Sequence, residues 1–122
     1  MGYDIHICTT PSWLDAAAHP LPSDRWESVV SSDPELRVSA DDYVEVRCSA
    51  GGTIRSPAVL WSQHESVAFW FVGGEVTVKN PDDRTIVKAL ELAERLGCVV
   101  VGDEGETYRL SPSPPGWRVA TP

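Results

Sequence analysis

Between residues 43 and 79 the chain is a succession of short apolar runs separated by glycine turns, and this succession leaves few possible folds. Val44 and Val46 alternate with charged residues, as in a strand that buries one face. The glycine pairs at 51–52 and 73–74 are turn signals of the kind that join antiparallel neighbours. The segment therefore predicts a run of about four or five strands joined largely by tight turns.

Amphipathic helices are predicted on both sides of this run. In the first helix, Ser23 suits the N-cap position. Asp33 is expected to end it, because Pro34 disfavours helical geometry in the residue before it. In the second helix, Asn80 suits the N-cap and Gly97 suits a left-handed C-cap.

Further strands are predicted at the two ends of the chain. Tyr3, Ile5 and Ile7 alternate with more polar residues, which indicates a first strand with one apolar face. Residues 98–101 and 106–110 predict two more strands after the second helix.

Strands in runs, interrupted by helices rather than alternating with them, are typical of the α+β class. We therefore predict a mainly antiparallel sheet of about six or seven strands, with two main helices packed on one face. Residues 1–110 are expected to form a single domain. Residues 111–122 are expected to form a proline-rich, extended and loosely held tail, which Trp117 is suited to attach to the domain.

The charge of the chain excludes several classes of partner. Ten Lys and Arg against 18 Asp and Glu give a net charge of -8. A chain this acidic repels phosphate backbones and anionic lipid surfaces, so we expect neither nucleic acid nor membrane as a partner. The start of the chain lacks the basic and apolar regions of a secretory signal, and its three cysteines form no recognisable framework. We predict a cytoplasmic location.

Metal binding is the first chemical possibility that the sequence raises. Asp4, His6 and Cys8 share one face of the first predicted strand and are all potential zinc ligands. No second cluster at ligand spacing accompanies them, so an ordinary polar face is the favoured interpretation. We predict no metal and no cofactor.

Nucleophilic catalysis is the second possibility. Ser62, His64 and Glu65 are close in sequence, but adjacency along a strand does not build a catalytic triad. The acidic loop at 101–106 has glycine spacing, yet it is too short for an EF-hand calcium loop. We predict no catalytic residues and a protein that is not an enzyme.

Acidic and aromatic residues are the remaining candidates for function. A small acidic domain is suited to electrostatic capture of a basic partner, and tryptophan is enriched at interface hot spots. The acidic turn before the last predicted strand is the first candidate contact, and the end of the first helix with the loop before it is the second. The predicted partner-binding residues are Asp103, Glu104, Glu106, Asp33, Glu35 and Trp13.

The chain also resembles a group of small bacterial proteins over about residues 3–108. The resemblance is carried by motifs that look structural, namely Tyr3-Asp4-Ile5-His6-Ile7, Trp26, Asp33-Pro34-Glu35-Leu36, Trp61, Phe69-Trp70-Phe71, Val78-Lys79-Asn80-Pro81-Asp82, Leu92-Ala93, Leu96-Gly97 and Gly102-Asp103-Glu104-Gly105-Glu106-Thr107-Tyr108. These proteins look like the immunity partners encoded beside polymorphic or contact-delivered bacterial toxins. The chain departs from the pattern at Cys8-Thr9-Thr10, where a basic residue is expected.

The resemblance implies a protein that works by binding. It would neutralise a cognate toxin or effector by direct contact, either by blocking its active site or by holding it inactive, and it implies no catalytic residues. We expect a monomer or a weak homodimer in the absence of the toxin. The alternative is a small non-catalytic regulatory or scaffold subunit that forms homo-oligomers, because a central strand apolar on both faces also suits a subunit interface.

Overall fold

The computed structural model describes residues 3–12, 18–47, 51–64 and 67–120. In these ranges the chain forms, in order, β1 (Asp4–Cys8), α1 (Ser23–Ser32), β2 (Leu36–Arg47), β3 (Thr53–Trp61), β4 (Ala68–Val72), β5 (Glu75–Lys79), α2 (Asp83–Leu96), β6 (Val99–Gly102), β7 (Thr107–Leu110) and β8 (Trp117–Ala120). None of the helices in these ranges is long and apolar enough to cross a membrane.

The strands form one sheet in the order β2-β3-β4-β5-β1-β6-β7-β8, and every neighbouring pair is antiparallel. β1 lies inside the sheet, where it joins the meander β2–β5 to the meander β6–β8. The α+β class with a mainly antiparallel sheet is confirmed. The described sheet has eight strands, slightly more than the six or seven predicted.

The additional strand comes from the segment predicted to be a tail. β8 pairs with β7 along four positions, from Thr107 opposite Ala120 to Leu110 opposite Trp117. The Trp117 ring lies 5.2 Å from the Tyr108 ring, and its Nε1–H donates to Asp83 Oδ1 at 3.0 Å. The four residues of β8 are too few to show a clear alternation of apolar and polar side chains. The prolines before them indicate an extended tail, so the sequence does not predict this strand.

β2 is one long strand that begins at Leu36, seven residues before the run of strands predicted from residue 43. The register shifts between Val38 and Tyr43, which marks a bulge. Within it, Ser39 Oγ accepts hydrogen bonds from the backbone N–H groups of Asp41 and Asp42 at 3.3 and 3.0 Å. The bulge breaks the alternation of apolar and polar residues, and this break looks like a loop in the sequence.

Both helices pack on the same face of the sheet. Trp26 and Val30 of α1 and Leu96 of α2 belong to one buried cluster with Ile5 and Phe69 of the sheet. On β1 the alternation is strict: Ile5 and Ile7 face the helices, so His6 and Cys8 point to the opposite face.

The helix boundaries correct two predicted caps. Pro22, not Ser23, precedes the first turn of α1 and makes no side-chain cap. Asp82, not Asn80, caps α2, and its carboxylate accepts from the Thr85 backbone N–H at 2.9 Å. Asn80 has a φ of 49°, so it turns the chain after β5 instead of starting the helix. The left-handed C-cap at Gly97 is confirmed, with a φ of 70°.

Candidate functional site

A buried charged cluster occupies the sheet face opposite the helices. His6 is 5% exposed, and its ring lies between two carboxylates. Nδ1 lies 2.7 Å from Glu75 Oε1, and Nε2 lies 2.8 Å from Asp103 Oδ1. Asp103 also accepts from the Asp4 backbone N–H at 3.0 Å, so the cluster ties β1 to β5 and to the β6–β7 turn.

The two carboxylates determine the charge of the imidazole. Burial alone lowers the pKa of His6, but the hydrogen bonds to Glu75 and Asp103, together with their charges, outweigh burial and raise it. Burial raises the pKa of Asp103, but the hydrogen bond with His6 and the Asp4 N–H outweigh it, so this pKa is lowered. The geometry therefore favours an imidazolium that donates from both nitrogens.

Cys8 extends this cluster without acting as a reactive thiol. Its side chain is fully buried, and Sγ lies 3.6 Å from Glu75 Oε2, to which it donates. Burial first, and then the charge and hydrogen bond of Glu75, raise the pKa of the Cys8 thiol. A protonated, inaccessible thiol is a poor nucleophile and a poor metal ligand.

On the face of β1 considered above as a potential zinc site, His6 is therefore held by ion pairs with carboxylates. Asp4 contributes a backbone N–H to the cluster, and both His6 nitrogens are held by carboxylates. Among the residues that the structure describes, no group of three or more His, Cys, Asp or Glu has a geometry suited to a metal ion.

The His64 side chain contacts Asp82, the N-cap residue of α2. Its Nε2 lies 2.9 Å from Asp82 Oδ2. Ser62 is exposed, and its backbone N–H donates to the Glu35 carbonyl at 2.8 Å. Glu65, the third residue of this sequence, lies outside the described residues.

The predicted acidic turn divides into residues with different environments. Asp103 is bound to His6, as described above. Glu106 accepts a hydrogen bond from the Tyr3 hydroxyl, and its other oxygen, Oε1, is buried without a hydrogen-bond partner among the described residues. Glu104 is exposed. Of the three carboxylates, the Glu104 carboxylate is the best placed for a partner.

The second predicted acidic group is part of an internal ion-pair network. Asp33 is 7% exposed and contacts Lys88 Nζ at 2.8 Å and Arg95 Nη1 at 3.1 Å. Burial raises the pKa of Asp33, but the hydrogen bond and charge of Lys88 outweigh it and lower the pKa. Glu35 accepts from Trp61 Nε1 at 3.1 Å and from Lys88 at 3.0 Å. Both carboxylates thus join the start of β2 to α2.

Trp13, the last predicted contact residue, lies outside the described residues. It and the five carboxylates therefore stay predictions as partner contacts. Asp33 is buried, whereas Glu104 is exposed.

Sequence reasoning missed an apolar groove between α1 and the β2–β3 hairpin. The groove has a volume of about 530 Å³, and Trp26, Val30 and Phe71 are among its lining residues. Val38 and Ile54 also line it, and their exposed fractions are 54% and 59%. They are the most exposed large hydrophobic residues in the described part of the chain.

Charged residues of both signs lie on or near the walls of the groove. Glu27 of α1 lines it, and the β2 strand that provides Val38 also carries the exposed Asp41, Asp42 and Glu45. Arg55 lines the groove as well, with its guanidinium 4.3 Å from the centre of the Tyr43 ring. Arg37 and Arg47 of β2 are exposed as well, so the hairpin arm combines an apolar surface with charges of both signs.

Comparisons of the chain with protein-family models, with curated proteins and with solved structures give no match.

Proposed function

We propose that the chain is an immunity protein that binds a cognate bacterial toxin or effector in the cytoplasm and neutralises it by direct contact. The observation that carries the proposal is the groove between α1 and the β2–β3 hairpin, where Val38 and Ile54 are more than half exposed. The resemblance of the sequence to immunity proteins supports the same proposal.

Exposed hydrophobic side chains beside a groove favour a protein partner. Contiguous exposed apolar surface costs solubility and is typical of interaction sites. Trp26 and Phe71 line the groove. Aromatic residues are enriched in protein interfaces, and Trp is among the residue types enriched at hot spots. An apolar side chain of the partner that enters the groove would bury Val38 and Ile54 together.

The net charge of the chain defines the partner further. Glu27 and Arg55 are the charged residues that line the groove, in a chain of net charge -8. Such a field accelerates association with a positively charged protein and repels an acidic one. We therefore propose a basic toxin surface that presents an apolar side chain to the groove.

The edge of the sheet next to the groove is protected against simple strand addition. β2 is an edge strand of 12 residues, but the bulge between Val38 and Tyr43 interrupts it, and Asp41 and Asp42 lie in the bulge. Bulges and charges on edge strands prevent edge-to-edge pairing. This arrangement favours side-chain docking in the groove over main-chain pairing along β2.

The test uses the purified chain and the toxin encoded beside its gene. We expect a one-to-one complex, and Val38→Asp combined with Ile54→Asp should weaken it by about 100-fold, as removal of hot-spot contacts does. Val119→Asp is the matched control, since Val119 is 41% exposed on β8, at the other edge of the sheet. Isothermal titration calorimetry measures the dissociation constants.

Equal affinities for the double variant and the wild type would exclude the groove as the docking site. A dimer of the free chain whose population does not change on dilution, and which the double variant abolishes, would instead support the scaffold-subunit alternative. Sedimentation velocity over a range of protein concentrations distinguishes these outcomes.

A further inference from the structure

The His6 ring joins a buried carboxylate to an accessible one. The Glu75 side chain, which binds Nδ1, is 11% exposed, whereas the Asp103 side chain, which binds Nε2, is 36% exposed. Glu75 lies on β5 inside the sheet, and Asp103 lies in the turn between β6 and β7. Water therefore replaces the imidazole more easily at Asp103 than at Glu75.

The Asp103 carboxylate also attaches the β6–β7 turn to β1. Its Oδ1 binds the imidazole at 2.8 Å, and its Oδ2 accepts from the Asp4 backbone N–H at 3.0 Å. Just before β1, the Tyr3 hydroxyl accepts from the Glu104 backbone N–H at 3.3 Å. Residues 103–105 are exposed, so the turn has solvent on its outer side and has room to move away from β1.

The charged and titratable groups around the ring determine its protonation. Among the described residues, the groups that share this sheet face with the ring and its two carboxylates are Asp4 and Cys8 of β1 and Lys79 of β5. β6 places Val101 opposite His6 and adds no charge there. Asp4 lies opposite Lys79 in the register of β1 and β5, so these two charges have opposite signs.

The two bound carboxylates therefore dominate the titration of the ring. Burial lowers the pKa of His6, but the hydrogen bonds and charges of Glu75 and Asp103 outweigh burial and raise this pKa from 6.5. The ring is thus charged below pH 6.5 and loses its proton as the pH rises through the raised value.

A neutral imidazole has one N–H group for two carboxylates. The nitrogen that has lost its proton presents a lone pair to a carboxylate oxygen, and the two repel each other. Glu75 has little access to water, and its other donors, among them the Thr77 hydroxyl at 2.9 Å, are uncharged. Asp103 reaches water, so it loses less when the imidazole stops donating to it. The remaining proton therefore belongs on Nδ1, where it faces Glu75.

We infer that His6 is a pH-sensitive latch for the β6–β7 turn: when the ring loses its proton, Asp103 leaves it and the turn loses its attachment to β1. Both contacts end together, because one carboxylate binds the ring and the Asp4 N–H. The change stays local, since the Gly102 N–H donates to the Glu106 carbonyl at 2.9 Å at the base of the turn.

The latch changes the charge that the turn presents to solvent. While the ring is protonated, the imidazolium compensates the charge of Asp103, and Glu104 is the exposed carboxylate of the turn without this compensation. Once the ring is neutral, Asp103 and Glu104 are both accessible, so the turn becomes more negative and more mobile. This inference does not depend on the proposed immunity function.

Carbon-detected NMR of the full chain, labelled with ¹³C and ¹⁵N and titrated from pH 6 to pH 10, tests the inference. The ring carbons of His6 report its protonation and distinguish its two neutral tautomers. We expect one common midpoint, above pH 6.5, for the ring, for the carboxyl carbon of Asp103 and for the Cα of Glu104. The neutral ring should carry its proton on Nδ1.

Asp103→Asn removes the charge of the latch and leaves Glu75 in contact with the ring. The ring should then titrate lower by about one pH unit, because one of its two anionic partners is gone, and the Glu104 Cα should show no step at that midpoint. Asp82→Asn is the matched control, because Asp82 contacts a different histidine, His64, at 2.9 Å. It should leave the titration of the ring and the step at Glu104 unchanged.

A neutral ring protonated on Nε2 would overturn the inference, because Glu75 would then be the carboxylate that is released. A ring that is neutral at pH 6, a ring that keeps its proton up to pH 10, or a Glu104 Cα that does not shift while the ring titrates would also overturn it.

Discussion

At the scale of single residues, the most unusual group is the imidazole of His6, buried between Glu75 and Asp103. A buried charge is tolerated only where partners compensate its lost hydration. Here the two carboxylates come from β5 and from the turn after β6, so the ion pairs hold together strands that are distant in sequence. The contribution of these ion pairs to the stability of the fold therefore depends on pH, and the direction of this dependence follows from the pKa shifts.

The pKa of His6 is raised above its ordinary value of 6.5 in the folded chain. The stabilisation is therefore complete below pH 6.5 and decreases as the pH rises through the folded value. The pKa of Asp103 is lowered from 3.8, so its stabilisation is present above that value and decreases at more acidic pH. We expect wild-type stability to exceed that of His6→Gln by more at pH 6 than at pH 9.

Urea unfolding at the two pH values measures this difference, and His19→Gln, which changes an exposed histidine, is the control. An equal difference between wild type and His6→Gln at both pH values would show that the imidazole is neutral in the folded chain.

At the scale of elements, the sequence predicts the elements well and their ends less well. The strands predicted at residues 98–101 and 106–110 are observed as Val99–Gly102 and Thr107–Leu110, and each begins one residue later than predicted. The start of α2 is displaced because Asn80, Asp82 and Asp83 are all acceptable N-cap types. Only the tertiary structure, in which Asn80 accepts from the Tyr3 N–H at 3.0 Å, assigns that residue to the turn.

Substitution of the two candidate caps distinguishes them. Asp82→Ala should lower the free energy of unfolding by about 1 kcal/mol, because the Thr85 N–H loses its acceptor. Asn80→Gly keeps the positive φ and should cost less than Asp82→Ala. Chemical unfolding curves measure both changes, and a larger cost for the Asn80 substitution would contradict the cap at Asp82.

At the scale of the whole molecule, the fold class follows from the sequence, but the groove and the eighth strand do not. The groove depends on the position of α1 against a hairpin arm whose bulge no local pattern specifies. The predicted acidic contacts were chosen by charge, yet Asp33 and Asp103 have internal cationic partners that are 62 and 97 residues away. The sequence shows which residues are carboxylates. It does not show which cation each carboxylate pairs with, because the fold brings together residues that are far apart in the chain.

The eighth strand is stabilised by Trp117. Its ring contacts Tyr108 and its indole N–H binds Asp83, so Trp117→Ala should lower the free energy of unfolding by about 2 kcal/mol. Arg118→Ala on the same strand should have a much smaller effect, because that side chain is exposed. Thermal unfolding compares the two variants, and equal small effects would show that the segment after residue 111 adds little to the fold.

Inhibition of the proposed toxin partner at defined molar ratios tests the proposed neutralisation by contact most directly. The toxin activity is measured while the chain is added from substoichiometric to excess amounts. Neutralisation by binding predicts a linear loss of activity that is complete at one chain per toxin, is retained by Val119→Asp, and is lost with Val38→Asp combined with Ile54→Asp. Complete inhibition by catalytic amounts of the chain, or no inhibition at any ratio, would contradict it.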